Sequence, residues 1–431
     1  MPDTPHDPYA ALHFRDYGLF TIGRNASVIG SQMLTVALGW ELYLRTDRAM
    51  SLGLLGLAHA IPVILLAIPA GHLADRLDRR RIAMVAQVGL AICSIGLAIV
   101  SRLHAPIPYI YLCVICAATV GAMSGPAKSA LLPQLVPPSV FANAVTWGSS
   151  FFQLSSVIGP AIGGLAIARM KSIWPVYVAD AGCELVFLVL IAALHTPYAT
   201  ARASGPTTLK SLAAGIQFVR EKKIILATIT LDLFAVLLGG AVTLLPVYAR
   251  DILHVGASGL GWLRAAPSAG ALIMALALAH LPPLRRAGAS MLGAVAMFGA
   301  ATIVFGFSRF FWLSLLMLFI TGAVDNVSVV IRNTLVQVLT PDEMRGRVSA
   351  VNNVFISSSN DLGGFESGTV AQFFGPVFSV VSGGIGTIIV VIAVALIWPQ
   401  LRDFGSLTSA GDPSHTPTTV QPQGIPVSVE E

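Results

Sequence analysis

Ionisable side chains occur inside the long apolar runs of this 431-residue chain. An ionised group near the centre of a bilayer costs roughly 2.5–3.5 kcal/mol on insertion scales, so such groups usually face water, a partner or a ligand. These side chains are therefore candidates for binding a polar ligand or carrying a proton. They are Arg24, His59, Asp180, Glu184, Asp232, Arg264, Asp325, Arg332 and Asp361.

The spacing of the acids separates two arrangements. Asp180 and Glu184 are four residues apart, so a helix places them on one face, where two carboxylates resist ionising together. Asp325 has no basic residue one turn away, and Arg332 follows two turns later, about 10 Å along the axis. We predict Asp325 as the first candidate for a proton-carrying carboxylate and the 180/184 pair as the second. The alternative for Asp325 and Glu184 is an ion pair with a cation of another helix.

The basic candidates suggest a binding cavity. His59 and Arg264 occupy equivalent places in two similar stretches, each one turn before a proline, Pro62 or Pro267. Equivalent positions of two repeats often line one central cavity, and we expect that here. Arg24 is a candidate for attracting an anionic substrate. The alternatives are a packing role for His59 and a structural anchor or gate for Arg332.

Composition determines which elements must position these residues. Hydrophobic residues make up 55% of the chain and charged residues 11%, and the mean hydropathy is +0.78. A soluble protein of this size needs more charge, and apolar runs of about 20 residues recur, each long enough to cross a bilayer. We predict an all-α integral membrane protein with twelve transmembrane helices in two six-helix pseudo-repeats. The net charge of +5 is attributed to membrane orientation and not to nucleic-acid binding.

The distribution of Lys and Arg predicts the topology. Most of them fall in segments on the same side as the two termini, which predicts cytoplasmic termini in the plasma membrane. Residues 208–220 show helical apolar spacing, which predicts an interfacial helix, and the seventh span is predicted over 224–248. The predicted regions are a cytoplasmic tail (1–16), a first bundle (17–194), a cytoplasmic linker (195–223), a second bundle (224–400) and a disordered tail (401–431).

The sequence gives little support for a metal site, a disulfide, a nucleotide site or a catalytic site. Cys113 and Cys116 form a Cys-x-x-Cys spacing, but no His or second Cys pair lies near it, so we predict no metal or disulfide. The chain has no phosphate-binding loop with the Gly-x-x-x-x-Gly-Lys-Ser/Thr pattern, so no nucleotide cofactor is expected. No catalytic constellation of side chains is evident, and we predict that the protein is not an enzyme.

The charged loop at 71–81 carries a family resemblance. It resembles the Gly-x-x-x-Asp-Arg-x-Gly-Arg-Arg/Lys signature between helices 2 and 3 of the major facilitator superfamily, although Asp78 stands where that pattern has Gly. The residues that fit are Gly71, Asp75, Arg76, Arg79 and Arg80. This Asp-containing form, with the stretch from Arg332 to Arg347, is similar to a branch of siderophore, macrolide and drug exporters.

The resemblance implies a mechanism. It implies a secondary transporter that works by alternating access and expels a small organic substrate in exchange for protons, and we expect a monomer in the lipid bilayer. The signature loop would meet the start of span 11, where Asp75 would contact Arg345 and Arg347 and close the cytoplasmic side. An importer or uncoupled facilitator of the same fold is the first alternative. A non-transporting sensor or a membrane-embedded enzyme is the second.

A motif in span 5 resembles a signature of antiporters. It consists of Gly159, Pro160, Gly163 and Gly164, with Ser155 where the fuller pattern has another Gly. Small residues let helix backbones approach each other, and a proline removes one helical hydrogen bond and permits a bend. The alternative is an ordinary bent and tightly packed helix.

Overall fold

The computed structural model describes residues 7–195, 209–282 and 286–405, and the described chain folds into α-helices joined by short loops and helical turns. The helices, in chain order, are α1 (Arg15–Thr46), α2 (Ala49–Arg76), α3 (Arg79–Arg102), α4 (Pro108–Leu131), α5 (Phe141–Met170), α6 (Trp174–Ala192), α7 (Leu209–Glu221), α8 (Lys223–Leu238), α9 (Leu245–Val247), α10 (Gly256–His280), α11 (Ala287–Phe307), α12 (Phe311–Leu339), α13 (Asp342–Phe374), α14 (Pro376–Ile397) and α15 (Pro399–Arg402).

Most of these helices suit a bilayer. Within the described residues, 10 helical segments are long and apolar enough to cross a membrane. Helices α1 and α13 have 32 and 33 residues and carry more polar residues. At 1.5 Å per residue both exceed the roughly 30 Å of a hydrocarbon core. The chain is therefore a multi-pass helical membrane protein.

Helices α1–α6 pack together as an N-terminal half, and helices α8–α14 pack as a C-terminal half. One buried apolar cluster contains residues of both halves, including Leu42 and Tyr177 from the first and Leu245 and Tyr248 from the second. The other clusters are each confined to one half. We call the side of the shared cluster, with loops 47–48, 171–173 and 253–255, the closed end. The opposite side, with loops 77–78, 132–140 and residue 222, is the terminal end.

Two helix pairs join the halves through glycines. In the α2/α13 seam, a Cβ built on Gly368 would lie 2.7 Å from Cα of Gly53. In the α5/α10 seam, a Cβ built on Gly164 would lie 2.7 Å from Cα of Gly261 and 2.5 Å from the Ala257 oxygen. Real Cβ atoms do not approach so closely, so the lack of side chains lets the backbones touch.

The helix predicted over 224–248 is interrupted. Helix α8 ends at Leu238, and the chain continues through a 3-10 turn (Ala241–Leu244), α9 and a π-helical turn (Tyr248–Ile252). The break falls at Gly239 and Gly240, where a Cβ would collide with the Phe298 ring or the Ser367 hydroxyl. Glycine weakens a helix, and the close neighbours leave no room for another residue. The segment Lys223–Ile252 is long and apolar enough to cross a membrane, as predicted for the seventh span. Its apolar composition does not reveal the packing constraint that breaks the helix.

The flanking segments are partly packed against the halves. In the predicted tail 1–16, the Ala11 amide donates to the Asn143 side chain at 3.0 Å. In the predicted linker, α7 packs on α13, and Val219 is buried with Val348. At the other terminus, Leu401 is fully buried. The expectations for 196–208 and for a disordered tail over 406–431 lie outside the described residues.

Candidate functional site

A cavity of about 900 Å³ lies between the two halves. Helices of both halves line it, and most of its lining is aliphatic, with aromatic rings from Phe298 and Phe305. Its charged or titratable lining residues are His59, Asp180, Glu184, Arg264, Asp325 and Asp361. The other three candidates, Arg24, Asp232 and Arg332, lie outside this lining. The cavity is the place in the fold where a small molecule meets both halves.

The two acids of α6 are held inside the N-terminal half by hydrogen bonds. The Ser94 hydroxyl of α3 donates to Asp180 at 2.5 Å. The Ser27 hydroxyl of α1 donates to Glu184 at 2.8 Å, and the Gln87 amide of α3 also donates to Glu184. The second oxygen of Asp180, Oδ1, is buried without a hydrogen-bond partner among the described groups. The predicted pair therefore exists as two neighbouring carboxyl groups with separate donors.

The C-terminal half contains a buried ion pair that the spacing did not predict. Arg332 of α12 pairs with Asp232 of α8, and both side chains are nearly inaccessible. A void of about 10 Å³, near the size of one water, is lined by Asp232, Asp325 and Ser328. Asp325 also lines the main cavity and has no described hydrogen-bond or ion-pair partner. It therefore connects the cavity with the buried ion pair.

His59 and Arg264 both line the cavity, but only one of them has a partner. The His59 Nδ1 atom lies 2.9 Å from the Asp361 carboxylate, so this contact links α2 of one half to α13 of the other. Arg264 forms no hydrogen bond or ion pair with a described side chain. The roles of both residues in substrate binding stay predictions.

Arg24 lies in the N-terminal half, outside the cavity lining. One of its terminal nitrogens is 3.8 Å from the Cβ position of Gly148 on α5. Lys128 of α4 lies close enough to Arg24 and Glu184 to interact electrostatically with both. Its amine lies 5.6 Å from the Phe187 ring centre. The sequence analysis did not single out Lys128, although a lysine near the end of an apolar run was a visible signal.

The closed end holds polar contacts that the sequence analysis missed. Across the halves, the Tyr43 hydroxyl donates to Asp251 and Arg250 pairs with Asp47. Glu41 is buried at 3% exposure and accepts a 2.8 Å hydrogen bond from Tyr177. Between described side chains, all hydrogen bonds that cross the halves join α1, Asp47 or α2 to 250–251 or α13. Acidic and basic residues near loops were the available signal, but their partners are distant in sequence.

The loop at 71–81 is described in part. Asp78 accepts from the Arg80 amide at 2.9 Å and begins α3 as an N-cap with φ −61°, so this position does not require glycine. Arg80 donates to the carbonyls of Ile191 and Ala192 at the end of α6, and Arg79 donates to the Ala130 carbonyl at 3.2 Å. These contacts remain within the N-terminal half. Arg347 is exposed; the predicted contact of Asp75 with the start of α13 lies outside the described side chains, as do Asp75, Arg76 and Arg345.

The small residues of α5 face two different helices. Cβ atoms on Gly159 and Gly163 would lie 2.6 Å from Gln32 and 2.9 Å from Met33 of α1, whereas Gly164 faces α10. Pro160 is buried within α5, and its oxygen lies 2.6 Å from the Cβ position of Gly261. Ser155 donates to Asn25 of α1 at 3.1 Å. The motif therefore ties α5 both to its own half and to the other half.

Metal and redox chemistry have no visible site in the described part of the chain. No group of three or more His, Cys, Asp or Glu side chains is placed there to hold a metal ion. The four cysteines are free, and Cys113 and Cys116 are not bridged.

The fold and the site define a class. Two helical halves that enclose a central cavity in a membrane, with contacts concentrated at one end, form a transporter. The profile of the transmembrane secretion effector family matches residues 5–427. The chain therefore belongs to this family of the major facilitator superfamily.

Relatives and solved structures agree with this assignment. The chain is 27% identical over 384 residues to the enterobactin exporter EntS of Escherichia coli (strain K12), covering 89% of this chain and 92% of that protein. The nucleoside transporter NupG has a TM-score of 0.73 at 10% identity, covering 89% of this chain and 100% of its own. A bacterial homologue of the human lysosomal transporter Spinster, in an inward-facing and occupied conformation, has a TM-score of 0.69 at 16% identity, covering 93% of this chain and 98% of its own. The structural likenesses show the fold.

Proposed function

We propose that the protein is a proton-coupled exporter of small organic molecules that works by alternating access. The observation that carries this proposal is the central cavity, which is lined by both halves and includes acidic side chains from each of them. A substrate bound there touches both halves, so rocking the halves exposes it to one side or the other. The outward direction is supported by the similarity to an enterobactin exporter.

We further propose a topology of twelve spanning helices in two six-helix repeats. The spans are α1–α6, α8 with its interrupted continuation, and α10–α14. Most Lys and Arg residues would then lie on the terminal end, which the positive-inside rule assigns to the cytoplasm of the inner membrane. Under this assignment the cavity of the present conformation is closed toward the outside. The protein acts as a monomer, with α7 at the cytoplasmic interface.

Asp325 is our choice for the residue that carries the proton. Asp180 and Glu184 are held by donated hydrogen bonds, whereas Asp325 has no such donor among the described groups. An uncompensated carboxyl group in contact with both the cavity and the buried Arg332–Asp232 pair changes charge when the cavity is exposed to a new pH. The charge state of Asp325 would then change the electrostatic free energy of substrate binding in the cavity.

Proteoliposomes provide the test of this function. The purified protein is reconstituted with a pH-sensitive dye inside, and enterobactin or a lipophilic drug is added on one side. Proton movement that depends on the compound supports the exporter. Transport that is indifferent to a pH gradient supports an uncoupled facilitator, and no flux with any compound supports a sensor.

A variant pair assigns the proton to a residue. Asp325→Asn should abolish compound-dependent proton movement while the protein still binds the compound. Glu366→Gln is the matched control, because this half-buried acid of α13 lies outside the cavity lining. Unchanged proton movement in Asp325→Asn would transfer the role to Asp180 or Glu184.

A further inference from the structure

We propose that Arg264 is the binding site for an anionic group of the transported molecule, an inference that rests on the proposed transport function. The substrate class is an amphiphile that combines an apolar, preferably aromatic body with a carboxylate, sulfonate or phenolate.

Most of the charged lining residues are already satisfied. His59 lies 2.9 Å from Asp361, Asp180 accepts from Ser94, and Glu184 accepts from Ser27. Among the described lining residues, this leaves Asp325 and Arg264 without a hydrogen-bonded or ionic partner. These two groups are the ones available to a ligand.

Asp325 and Arg264 differ in how they can lose their charge. A proton neutralises a carboxylate, but a guanidinium does not give up its proton in proteins. The charge of Arg264 can therefore be balanced only by an anion, and when Asp325 carries a proton the ligand has to supply that anion. Water in the cavity solvates it when the cavity is exposed, and closure of the cavity around a ligand removes that water.

The position of Arg264 fits this role. It lies eight residues into α10, which is about 12 Å along the axis from the closed-end start of the helix at Gly256. This places the backbone of Arg264 within the hydrocarbon core, where a charge without a counter-ion is costly. Leu260 and Leu318, both almost fully buried, line the same cavity with Phe298 and Phe305. An apolar body beside an anionic group matches this surface.

Equilibrium binding in lipid nanodiscs at neutral pH tests the proposal. The probes are dansylglycine, which carries a carboxylate, and dansylglycinamide, which is neutral and otherwise the same. A charge-assisted hydrogen bond to the guanidinium predicts that the wild type binds the carboxylate about tenfold to one hundredfold more tightly. Arg264→Gln should remove this preference by weakening carboxylate binding alone, and Arg264→Lys should retain most of it.

The controls keep the result interpretable. Unchanged affinity of Arg264→Gln for the amide shows that the cavity is intact, and Arg48→Gln, at an exposed position outside the cavity, should behave as the wild type. A preference that survives Arg264→Gln overturns the proposal, as does a wild type that binds the carboxylate no better than the amide or binds neither. Binding needs no gradient, so a failure of proton coupling in proteoliposomes leaves this result unaffected.

Discussion

The two seams that join the halves are alike in packing and different in charge. Gly368 of α13 touches Gly53 of α2, and Gly164 of α5 touches Gly261 of α10 in the same manner. The α2/α13 seam adds a contact between His59 and Asp361. The α5/α10 seam carries Arg264, which forms no ion pair with a described acid.

The sequence explains this difference. When His59 is matched with Arg264, Gly56 corresponds to Gly261. A Cβ on Gly56 would meet the Asp361 backbone oxygen, and a Cβ on Gly261 would meet the Pro160 oxygen, so Asp361 corresponds to Pro160 of α5. A proline side chain cannot balance an arginine. Glycine packing therefore holds the closed end together at both seams. Only the α2/α13 seam adds the contact between His59 and Asp361, which we call the latch. Because the α5/α10 seam lacks a matching acid among the described residues, Arg264 is left as a cation that a ligand can bind.

The largest effect on stability is expected for Arg332, which has an ion-pair partner, and not for Arg264, which has none among the described residues. Arg332→Met leaves Asp232 buried without its partner and should destabilise the protein by about 3–5 kcal/mol. Arg264→Met removes a charge that has no partner and should leave the ligand-free stability unchanged or raise it. Thermal unfolding in detergent measures both. Equal destabilisation by the two changes would show that Arg264 has a partner in the folded protein.

Glycine replacement tests the shared packing. Gly164→Val and Gly368→Val place side chains against backbone atoms and should each weaken the closed end by about 1–3 kcal/mol. The readout is the accessibility of a cysteine at the closed end to a membrane-impermeant thiol reagent. Gly182→Val is the matched control, since a Cβ there meets nothing within 4 Å. An effect at only one seam would break the equivalence of the two.

The latch should contribute less than the glycines. His59→Gln and Asp361→Asn should each favour opening of the closed end by about 1 kcal/mol, because the His59 side chain is 53% exposed and solvent screens the contact. The double variant should open no more than either single one. The same accessibility assay measures this, and additive effects would show that the two side chains act separately.

The exposed ion pair between Arg250 and Asp47 should contribute least to holding the closed end together. Arg250 and Asp47 are 34% and 71% exposed, so Arg250→Gln should change closed-end opening by only about 0.2–1 kcal/mol. Added salt should reduce even this difference, because exposed charges are screened. A salt titration of the accessibility assay shows whether it does. A salt-independent effect would indicate that this ion pair is shielded from solvent.

Much of the architecture could be predicted from sequence, and the pairing of side chains could not. Apolar run length predicted a multi-pass helical membrane protein, and the loop at 71–81 indicated the superfamily, which is confirmed. Helical spacing placed Asp325 and Arg332 on one face, but the partner of Arg332 came from α8. Periodicity reports the faces of one helix and contains no information about which helix lies opposite. The hydrogen bond from Tyr177 of α6 to Glu41 of α1 could not be predicted for the same reason.

The most direct test of alternating access measures both ends of the molecule at once. Spin labels at Arg48 and Phe310 report the closed end, and labels at Arg81 and Leu281 report the terminal end; all four positions are exposed. The measurement uses a cysteine-free protein in nanodiscs, with and without Gly164→Val. We expect this change to lengthen the closed-end distance and shorten the terminal-end distance together, because the halves rock as units. A longer closed-end distance with no change at the terminal end would contradict the account.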